Sequence, residues 1–295
     1  MSFTLIQQAT PRLHRSELAV PGSNPSLFEK AAAGGADVIF LDLEDAVAPD
    51  AKPAARDAAC AAVRSGEYGR RELTIRINAA DTEWHEADMA AACAAGPDAI
   101  VVPKVNSAAE VRTLVAAMEA HGAPEHTTLW AMVETPIAML DAHAIATASD
   151  RLSVLVMGTN DLAKELYAEH VPGRQPLLTG LGLALLAVRA AGKAIIDGVY
   201  NDVKNVDGFL AECQQGREMG FDGKTLIHPG QVAGANEAFA PSEKAVEDAQ
   251  GILAAWEAGR GSGVVTYNGR MIENLHVESA ERTLAMHEAI AALEA

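Results

Sequence analysis

Eight short apolar runs, each separated by enough residues for one helix, constrain the fold of this chain more than any other feature. Most of them are continuously apolar rather than alternating, which is typical of parallel strands covered by helices. Their number and spacing predict an α/β fold, a (β/α)8 TIM barrel. The runs are SELAVP (16–21), VIFLDLED (38–45), LTIRIN (73–78), AIVVPKV (99–105), TLWAMVET (128–135), VLVMGTND (154–161), AIIDGVY (194–200) and TLIHP (225–229).

The pattern changes after position 229. Helix-like segments occupy about 231–258, the Gly-rich break GRGSG follows at 259–263, and VVTYNGRMIENL leads into a last helix-like run near 277–294. We therefore expect a barrel catalytic domain at 1–235 and a small C-terminal lid or oligomerisation segment at 236–295. A tail after the eighth strand of a barrel is placed to cover an active-site mouth, its own or a neighbour's.

Charge and cysteine content exclude several classes of protein. The formal net charge of −17 argues against nucleic-acid binding, which needs clustered Lys and Arg. The three cysteines are far apart and lack CxxC spacing, so we expect free thiols. No apolar segment of about 18 residues and no basic-then-apolar start occur, so we expect neither a membrane span nor a secretory signal, and a cytoplasmic location.

Polar residues follow the ends of the predicted strands, where barrel enzymes hold their active sites. Carboxylates outnumber bases among them, and an oxygen-only cluster suits Mg²⁺ better than Zn²⁺. Glu134 and Asp161, at the ends of adjacent strands, are the predicted metal ligands. The full set of strand-end candidates is Asp42, Glu44, Asp45, Arg76, Asn78, Lys104, Glu134, Asn160, Asp161, Asp197 and His228.

Each main candidate also has a structural alternative. Arg76 presents a planar fork for a substrate carboxylate, or it forms an ion pair with Glu44 or Asp45. Glu134 precedes Thr-Pro, which favours a helix start, so its carboxylate could instead cap that helix or form a salt bridge there. Asp161 could be the N-cap before LAKEL.

Seven motifs occur in order along the chain: RSELAVPGSNP (15–25), FLDLEDAV (40–47), RIN (76–78), VVPKV (101–105), VETPIAM (133–139), MGTNDLAKEL (157–166) and GFDGKTLIHPGQV (220–232). No one motif is decisive, but their order and spacing are specific. Together they resemble the citrate lyase β-subunit-like proteins of the HpcH/HpaI aldolase superfamily, which includes malyl-CoA, β-methylmalyl-CoA and citramalyl-CoA lyases.

The resemblance implies a Mg²⁺-dependent carbon–carbon lyase that cleaves or forms a 3-hydroxyacyl-CoA, such as malyl-CoA or citramalyl-CoA, from a 2-oxo acid and an acyl-CoA. It also implies a homo-oligomer, a homotrimer or a hexamer. The family's metal ligands fall on Glu134 and Asp161, and its substrate-binding, catalytic arginine on Arg76. Glu134 in such enzymes also lies against the substrate. Glu44 and Asp45 match an acidic pair near the metal, with Glu44 expected at the substrate and Asp45 in catalysis.

The C-terminal segment departs from the family pattern. Related lyases carry G-x-M-I-D in a lid that supplies a catalytic aspartate to a neighbouring subunit, and GRMIENL places Glu273 at that position. The carboxylate is kept but is one methylene longer. Glu273 is thus a candidate catalytic residue, and the alternative is a solvent-facing lid residue.

CoA leaves a weaker signal. PGSNP (21–25), with Arg12, Arg15 and Lys30 nearby, could meet its phosphates, whereas His228 before Pro229 is expected to be structural. Two other functions stay open beside the lyase. One is a malyl-CoA thioesterase or another 2-oxo-acid aldolase of the superfamily. The other is a β-like subunit of a citrate lyase complex that acts on an acyl-carrier-protein thioester.

Overall fold

The computed structural model of the chain describes residues 12–259 and 264–294. Most of the predicted Gly-rich break at 259–263 lies outside the described residues. Within these ranges the chain divides into two compact units, one spanning His14–Phe239 and the other containing the residues from Ala240 onward.

In the part of the chain that the structure describes, eight parallel strands close into a barrel in sequence order, and this confirms the predicted (β/α)8 fold. Each strand pairs with the next, and the last closes on the first through the Ser16–Lys224 pair. The strands are β1 (Ser16–Pro21), β2 (Val38–Asp42), β3 (Glu72–Arg76), β4 (Ala99–Val102), β5 (Thr128–Val133), β6 (Leu152–Met157), β7 (Ala194–Asp197) and β8 (Gly223–Leu226).

Helices cover the outside of the barrel. Those of the first unit are α1 (Ser26–Ala32), α2 (Lys52–Ser65), α3 (His85–Ala95), α4 (Ala108–Ala120), α5 (Pro136–Leu140), α6 (Ala142–Ala146), α7 (Thr159–Glu165), α8 (Leu178–Ala191), α9 (Val206–Met219) and α10 (Val232–Phe239), with 3₁₀ turns at Pro49–Ala51, Pro172–Leu177 and Pro229–Gln231.

Most of the predicted apolar runs extend past the strands that they contain. The run at 38–45 is strand only over Val38–Asp42, and the run at 99–105 only over Ala99–Val102. The residues that follow turn into the loops after the strands, which is why several runs end in polar side chains. These loops carry the candidate site.

Alternation of side chains along the strands separates two apolar cores. Ile39 and Leu41 point to the helices, whereas Phe40 of β2 and Met132 of β5 belong to a second core inside the barrel. Because the period is two, Asp42 and Glu134 continue the inward rows at the carboxyl ends of those strands. The fold therefore delivers these carboxylates to the barrel mouth.

The described residues from Ala240 onward form two helices and a hairpin. Helices α11 (Glu243–Ala258) and α12 (Asn274–Glu294) pack on each other, and β9 (Val265–Tyr267) pairs antiparallel with β10 (Arg270–Ile272). Asn268 and Gly269 between the strands both have positive φ, 48° and 75°, as a type I′ turn requires. The division after Phe239 falls at the end of α10; the domain boundary at 235 and the lid role stay predictions.

The three cysteines, Cys60, Cys93 and Cys213, are free thiols, as predicted, and all are buried. Burial raises the pKa of each thiol, that of Cys213 to about 12. Among the described helices, none combines the length and the hydropathy that a membrane span requires.

Candidate active site

A cavity of about 370 Å³ opens at the carboxyl ends of the strands. Its apolar walls include Phe40 and Met132 from the inner core. The predicted strand-end residues that line it are Asp42, Asp45, Arg76, Glu134, Asn160 and Asp161.

Glu134 follows β5 and is buried, with 3% of its surface exposed. Its Oε1 accepts a 2.7 Å hydrogen bond from the Lys104 N–H. Burial raises the pKa of Glu134 to about 7, and the negative charges of Asp161 and Glu44 act in the same direction. The carboxylate is thus held in a place where its charge is costly without a cation.

The neighbouring strand leaves space for this carboxylate. A Cβ on Gly158, directly after β6, would lie 2.0 Å from Glu134 Oε2 and 2.4 Å from Glu134 Cβ. Glu134 does not cap α5, because the Thr135 hydroxyl accepts the bond from the Ala138 N–H at 3.2 Å. The capping alternative therefore applies to Thr135 instead.

Asp161 lies within the first turn of α7 and is not its N-cap, since Gly158 holds that position. It lines the same cavity as Glu134. Asn160 beside it exchanges two side-chain hydrogen bonds with Asn201 of the next loop, at 3.2 and 2.8 Å. The first turn of α7 and the loop after β7 are joined there, at the edge of the cavity.

Arg76 at the end of β3 directs most of its donors at carboxylates. Its Nε and Nη2 donate to Asp42 at 2.7 and 2.8 Å, and its Nη1 lies 3.1 Å from Glu44 Oε2. Burial disfavours both charges, but the pairing outweighs it, so the pKa of Asp42 is lowered and that of Arg76 is raised. The ion pair expected with Glu44 is present, and the bidentate partner of Arg76 is Asp42, which is not one of the two predicted partners.

The acidic pair after β2 divides into two environments. Glu44 is buried, and burial raises its pKa to about 7 despite Arg76. Its Oε1 lies 3.7 Å from the Lys104 ammonium. Asp45 is exposed and lines the cavity. Glu44 thus belongs to the support of Arg76, and Asp45 faces whatever enters.

Lys52 is a supporting residue that the sequence pattern did not reveal. Its ammonium donates to the Leu43 and Glu44 carbonyls at 2.9 and 3.0 Å and to Asn78 Oδ1 at 2.6 Å. These bonds fix the loop after β2. Nothing in the first turn of an amphipathic helix distinguishes a buried lysine of this kind from an exposed one.

Other predicted residues lie elsewhere. Asp197 forms a buried ion pair with Arg174 at 2.7 Å, and His228 Nδ1 accepts the Gly230 N–H at 3.0 Å, a structural role as expected. Arg15 pairs with Asp37 at 2.8 Å and directly precedes β1, at the end of the barrel opposite the cavity. The prediction that Arg15 contacts the CoA phosphates at the cavity is therefore wrong. Glu273 is an exposed residue of the second unit, just before α12.

The donor set fits a hard divalent cation. Among the described residues, the ion pairs of Arg76 and Lys104 involve Asp42 and Glu44, so the charges of Glu134 and Asp161 are left for an added cation. No three His, Cys, Asp or Glu side chains of the described chain are arranged to hold a metal by themselves. Mg²⁺ is commonly bound by one or two carboxylates and completes its shell with water and substrate oxygens.

Comparison with known proteins confirms the family resemblance that the sequence motifs indicate. A family profile described as HpcH/HpaI aldolase/citrate lyase matches residues 15–229, and one described as C-C_Bond_Lyase of the TIM-Barrel fold matches residues 183–290. A (3S)-malyl-CoA thioesterase of Cereibacter sphaeroides is 49% identical over 99% of this chain and 100% of its own length. An L-malyl-CoA/beta-methylmalyl-CoA lyase of the same species is 36% identical, with the same coverage.

A solved structure agrees with these relatives. The CitE protein of Mycobacterium tuberculosis, in complex with magnesium, acetoacetate and coenzyme A, superposes with a TM-score of 0.76 and 32% identity, over 92% of this chain and 97% of CitE. The profile match covers most of the barrel, and the relatives match along nearly the whole chain. The chain therefore belongs to the HpcH/HpaI aldolase/citrate lyase family.

Proposed function

We propose that this protein is a Mg²⁺-dependent enzyme of malyl-CoA-type thioesters and that it hydrolyses them to a hydroxy acid and free CoA. The observation that carries the chemistry is the buried Glu134, beside Asp161 and Arg76, in one cavity at the barrel mouth. The substrate class and the hydrolysis are supported by the thioesterase relative, which matches the chain from end to end at 49% identity.

The proposed ligands of Mg²⁺ are Glu134 and Asp161. When bound, the ion supplies a Lewis acid for the oxygens of the substrate's acid half. Lys104 orients Glu134 through its N–H, and Gly158 leaves the space in which the carboxylate turns toward the cavity.

Arg76 is the proposed electrostatic catalyst. Two of its donors hold Asp42, so its orientation is fixed before substrate binds, and its guanidinium meets negative charge that develops on the thioester oxygen. Contact with a substrate carboxylate would use Nη1, which lies beside Glu44.

Proton transfer is assigned to the acidic pair. Asp45, exposed in the cavity, accepts a proton from the attacking water as its oxygen bonds to the thioester carbon. The carbon–sulfur bond then breaks, and the CoA thiolate takes up the proton that Asp45 accepted, which restores the Asp45 carboxylate. Glu44, with a pKa of about 7, can exchange protons at neutral pH and balances the charge of Arg76.

Carbon–carbon cleavage is the second candidate, because the lyase relative matches the same full length and the same ligands suit both reactions. In that reaction a base takes the proton of the substrate hydroxyl, the bond between the two halves breaks, and Arg76 stabilises the thioester enolate. A β-like citrate lyase subunit would instead require an acyl-carrier-protein thioester.

Analysis of the products formed from malyl-CoA and citramalyl-CoA distinguishes thioester hydrolysis from carbon–carbon cleavage. Hydrolysis should give malate from malyl-CoA or citramalate from citramalyl-CoA, each with an equal amount of free CoA and each dependent on Mg²⁺. Glyoxylate or pyruvate together with an acyl-CoA would identify a lyase. Turnover of neither CoA ester would refute both CoA functions and direct the test to acyl-carrier-protein thioesters.

We also propose a homo-oligomer in which Glu273 supplies a proton-transfer group to a neighbouring copy. The support is the G-x-M-I-E segment, which keeps a carboxylate at the lid position of related lyases. In the second unit the Glu273 N–H donates to His276 Nδ1 at 3.0 Å, which fixes the main chain and leaves the side chain exposed.

A further inference from the structure

Lys104, two residues after β4, has an unusual main chain. Its φ is 56°, a left-handed conformation that L residues with side chains rarely adopt. Glycine is the usual residue where the chain needs such a conformation. A lysine in this conformation carries backbone strain that a glycine would avoid, so its main-chain and side-chain contacts are both of interest.

The left-handed turn has a specific product. It directs the Lys104 N–H at Glu134 Oε1, 2.7 Å away, while the next N–H, that of Val105, donates to the Met132 carbonyl at 3.1 Å. Two successive N–H groups of the β4 loop therefore bind β5, one to its backbone and one to the carboxylate at its end. The hydrogen bond that holds the Glu134 carboxylate, from the Lys104 N–H, is thus a product of this turn.

Asn106 locks the turn in place. Its Nδ2 donates to the Lys104 carbonyl at 2.8 Å, and its Oδ1 accepts from the Thr135 hydroxyl. Its own N–H donates to Glu110 Oε2 at 2.8 Å. The loop after β4 is thus tied to the residue that follows Glu134, so the two loops are positioned together.

The ammonium of Lys104 is attracted by four carboxylates, which we call the acidic cluster: Glu44, Asp45, Glu134 and Asp161. Its Nζ lies 3.7 Å from Glu44 Oε1, and the side chain is 45% exposed. A glycine would make the turn without strain but would leave the cluster without this cation.

We propose that Lys104 is a positioning residue that fixes the Glu134 carboxylate through its left-handed main chain, and that its ammonium supplies a counter-charge to the cluster until a cation binds. The metal part of this inference rests on the proposed Mg²⁺ site; the positioning part concerns Glu134 alone.

Three uncharged substitutions separate the main chain from the side chain. Lys104→Gly accepts the left-handed conformation, Lys104→Met keeps the length of the side chain, and Lys104→Val is β-branched and disfavours positive φ. Calorimetric titration with Mg²⁺ alone, and crystal structures of the Gly and Val variants without metal, are the measurements.

We expect the Gly variant to keep the N–H bond to Glu134 and to bind Mg²⁺ at least as tightly as the unaltered protein. The Met variant should bind Mg²⁺ about two- to fivefold more tightly at low salt, since a positive charge has been removed. The Val variant should lose the bond and bind about tenfold more weakly than the Gly variant.

Equal Mg²⁺ affinity and equal Glu134 positions in the Gly and Val variants would overturn the positioning role, even in an enzyme that turns over its substrate. Weaker binding by the Met variant would overturn the counter-charge role. If the Val variant does not fold, Asn106→Ala replaces it, because it releases the lock from a half-buried loop position, and it should also weaken Mg²⁺ binding. Failure of the unaltered protein to bind Mg²⁺ would sink the proposed metal site, and the crystal structures would still decide the positioning.

Discussion

The Glu134 carboxylate is surrounded by groups that follow the two neighbouring strands, β4 and β6. Lys104 after β4 gives it a hydrogen bond, Gly158 after β6 gives it room, and Asp161 adds a like charge that opposes its ionisation. A buried anion in such surroundings is unfavourable by itself. It becomes favourable when a cation joins it, so loss of the anion should affect metal binding and folding in opposite directions.

We expect Glu134→Gln and Asp161→Asn each to weaken Mg²⁺ binding by at least about a hundredfold and to abolish turnover. Glu134→Gln should leave the melting temperature unchanged or raise it, because a buried charge is removed. Calorimetric titration and thermal unfolding measure the two effects. Glu119→Gln on the exposed face of α4 is the matched control and should change neither; Mg²⁺ affinity preserved in Glu134→Gln would refute the ligand assignment.

Mg²⁺ binding should depend on pH through Glu134. In the metal-free protein its pKa is raised to about 7, and the ion binds the ionised form, so protonation below pH 7 competes with the metal. The affinity should fall by up to about tenfold for each pH unit below 7 and level off above it. Titrations at pH 6, 7 and 8 in buffers of different ionisation enthalpy would also detect the released proton; a constant affinity across this range would contradict the raised pKa.

At the scale of the element, the strands determine what reaches the cavity and the loops determine how it is held. The inward-facing side chains of β5 run from Trp130 through Met132 to Glu134, which follows the strand. Gly158, directly after β6, lies beside Glu134 and has no side chain, so it leaves the space that the carboxylate occupies. Gly158 is therefore as much a part of the site as the residues that contribute side chains.

Gly158→Ala tests this arrangement. The new Cβ would lie 2.0 Å from Glu134 Oε2, so Glu134 has to move, and we expect Mg²⁺ affinity to fall about tenfold or more, with about 1–3 kcal/mol of stability lost. Gly182→Ala is the control: it lies within α8 with nothing within 4 Å of its Cβ, and should add about 0.5–1 kcal/mol without affecting Mg²⁺. Equal metal affinity in both variants would show that Glu134 has room to spare.

The same distinction explains how much could be predicted from the sequence. The apolar runs and their spacing predict the barrel, and the polar residues at their ends predict the cavity that Arg76, Glu134 and Asp161 line. The pairing of Arg76 with Asp42 could not be predicted, because it depends on which side chains share the barrel interior across neighbouring strands. The role of the buried Lys52 could not be predicted for a similar reason: its partners are two backbone carbonyls and an amide oxygen, and these leave no pattern along the chain.

At the scale of the whole molecule, the barrel interior contains a buried carboxylate below the cavity. Glu17 of β1 is fully buried, and its Oε2 accepts a 2.5 Å hydrogen bond from the Thr225 hydroxyl, which lines the cavity. Its Oε1 has no hydrogen-bond partner among the described residues. Burial raises the pKa of Glu17 to about 7, from an ordinary value of 4.5.

Between pH 4.5 and about 7 the folded protein therefore keeps a proton on Glu17 that the unfolded chain has lost. Stability then falls as pH rises through this window. Glu17→Gln removes the effect, so its gain over the unaltered protein should grow from near zero at pH 4.5 to roughly 3 kcal/mol above pH 7. Denaturant unfolding at pH 5 and pH 8 measures it, and an equal effect at both pH values would contradict the titration.

Assembly is tested by complementation between two inactive variants. Glu273→Gln should lose turnover and keep Mg²⁺ binding, whereas Glu134→Gln should lose both. If Glu273 acts in a neighbouring copy, co-expressed variants form some sites in which both residues are intact, and activity should return to about a quarter of normal in a mixed ring. No recovery in verified mixed oligomers would place Glu273 in its own chain's site or outside catalysis.

The buried cysteines should react slowly with thiol reagents while the chain is folded. Cys60, Cys93 and Cys213 are each at most 3% exposed and have raised pKa values, so few thiolates are available to an electrophile. A disulfide reagent added during turnover would therefore react with thiol released from a thioester and leave the enzyme unmodified. Labelling of a cysteine would require the helix that carries it to move away from the barrel, since all three cysteines lie in helices and are buried. The rate of labelling would therefore measure how often the helical layer opens.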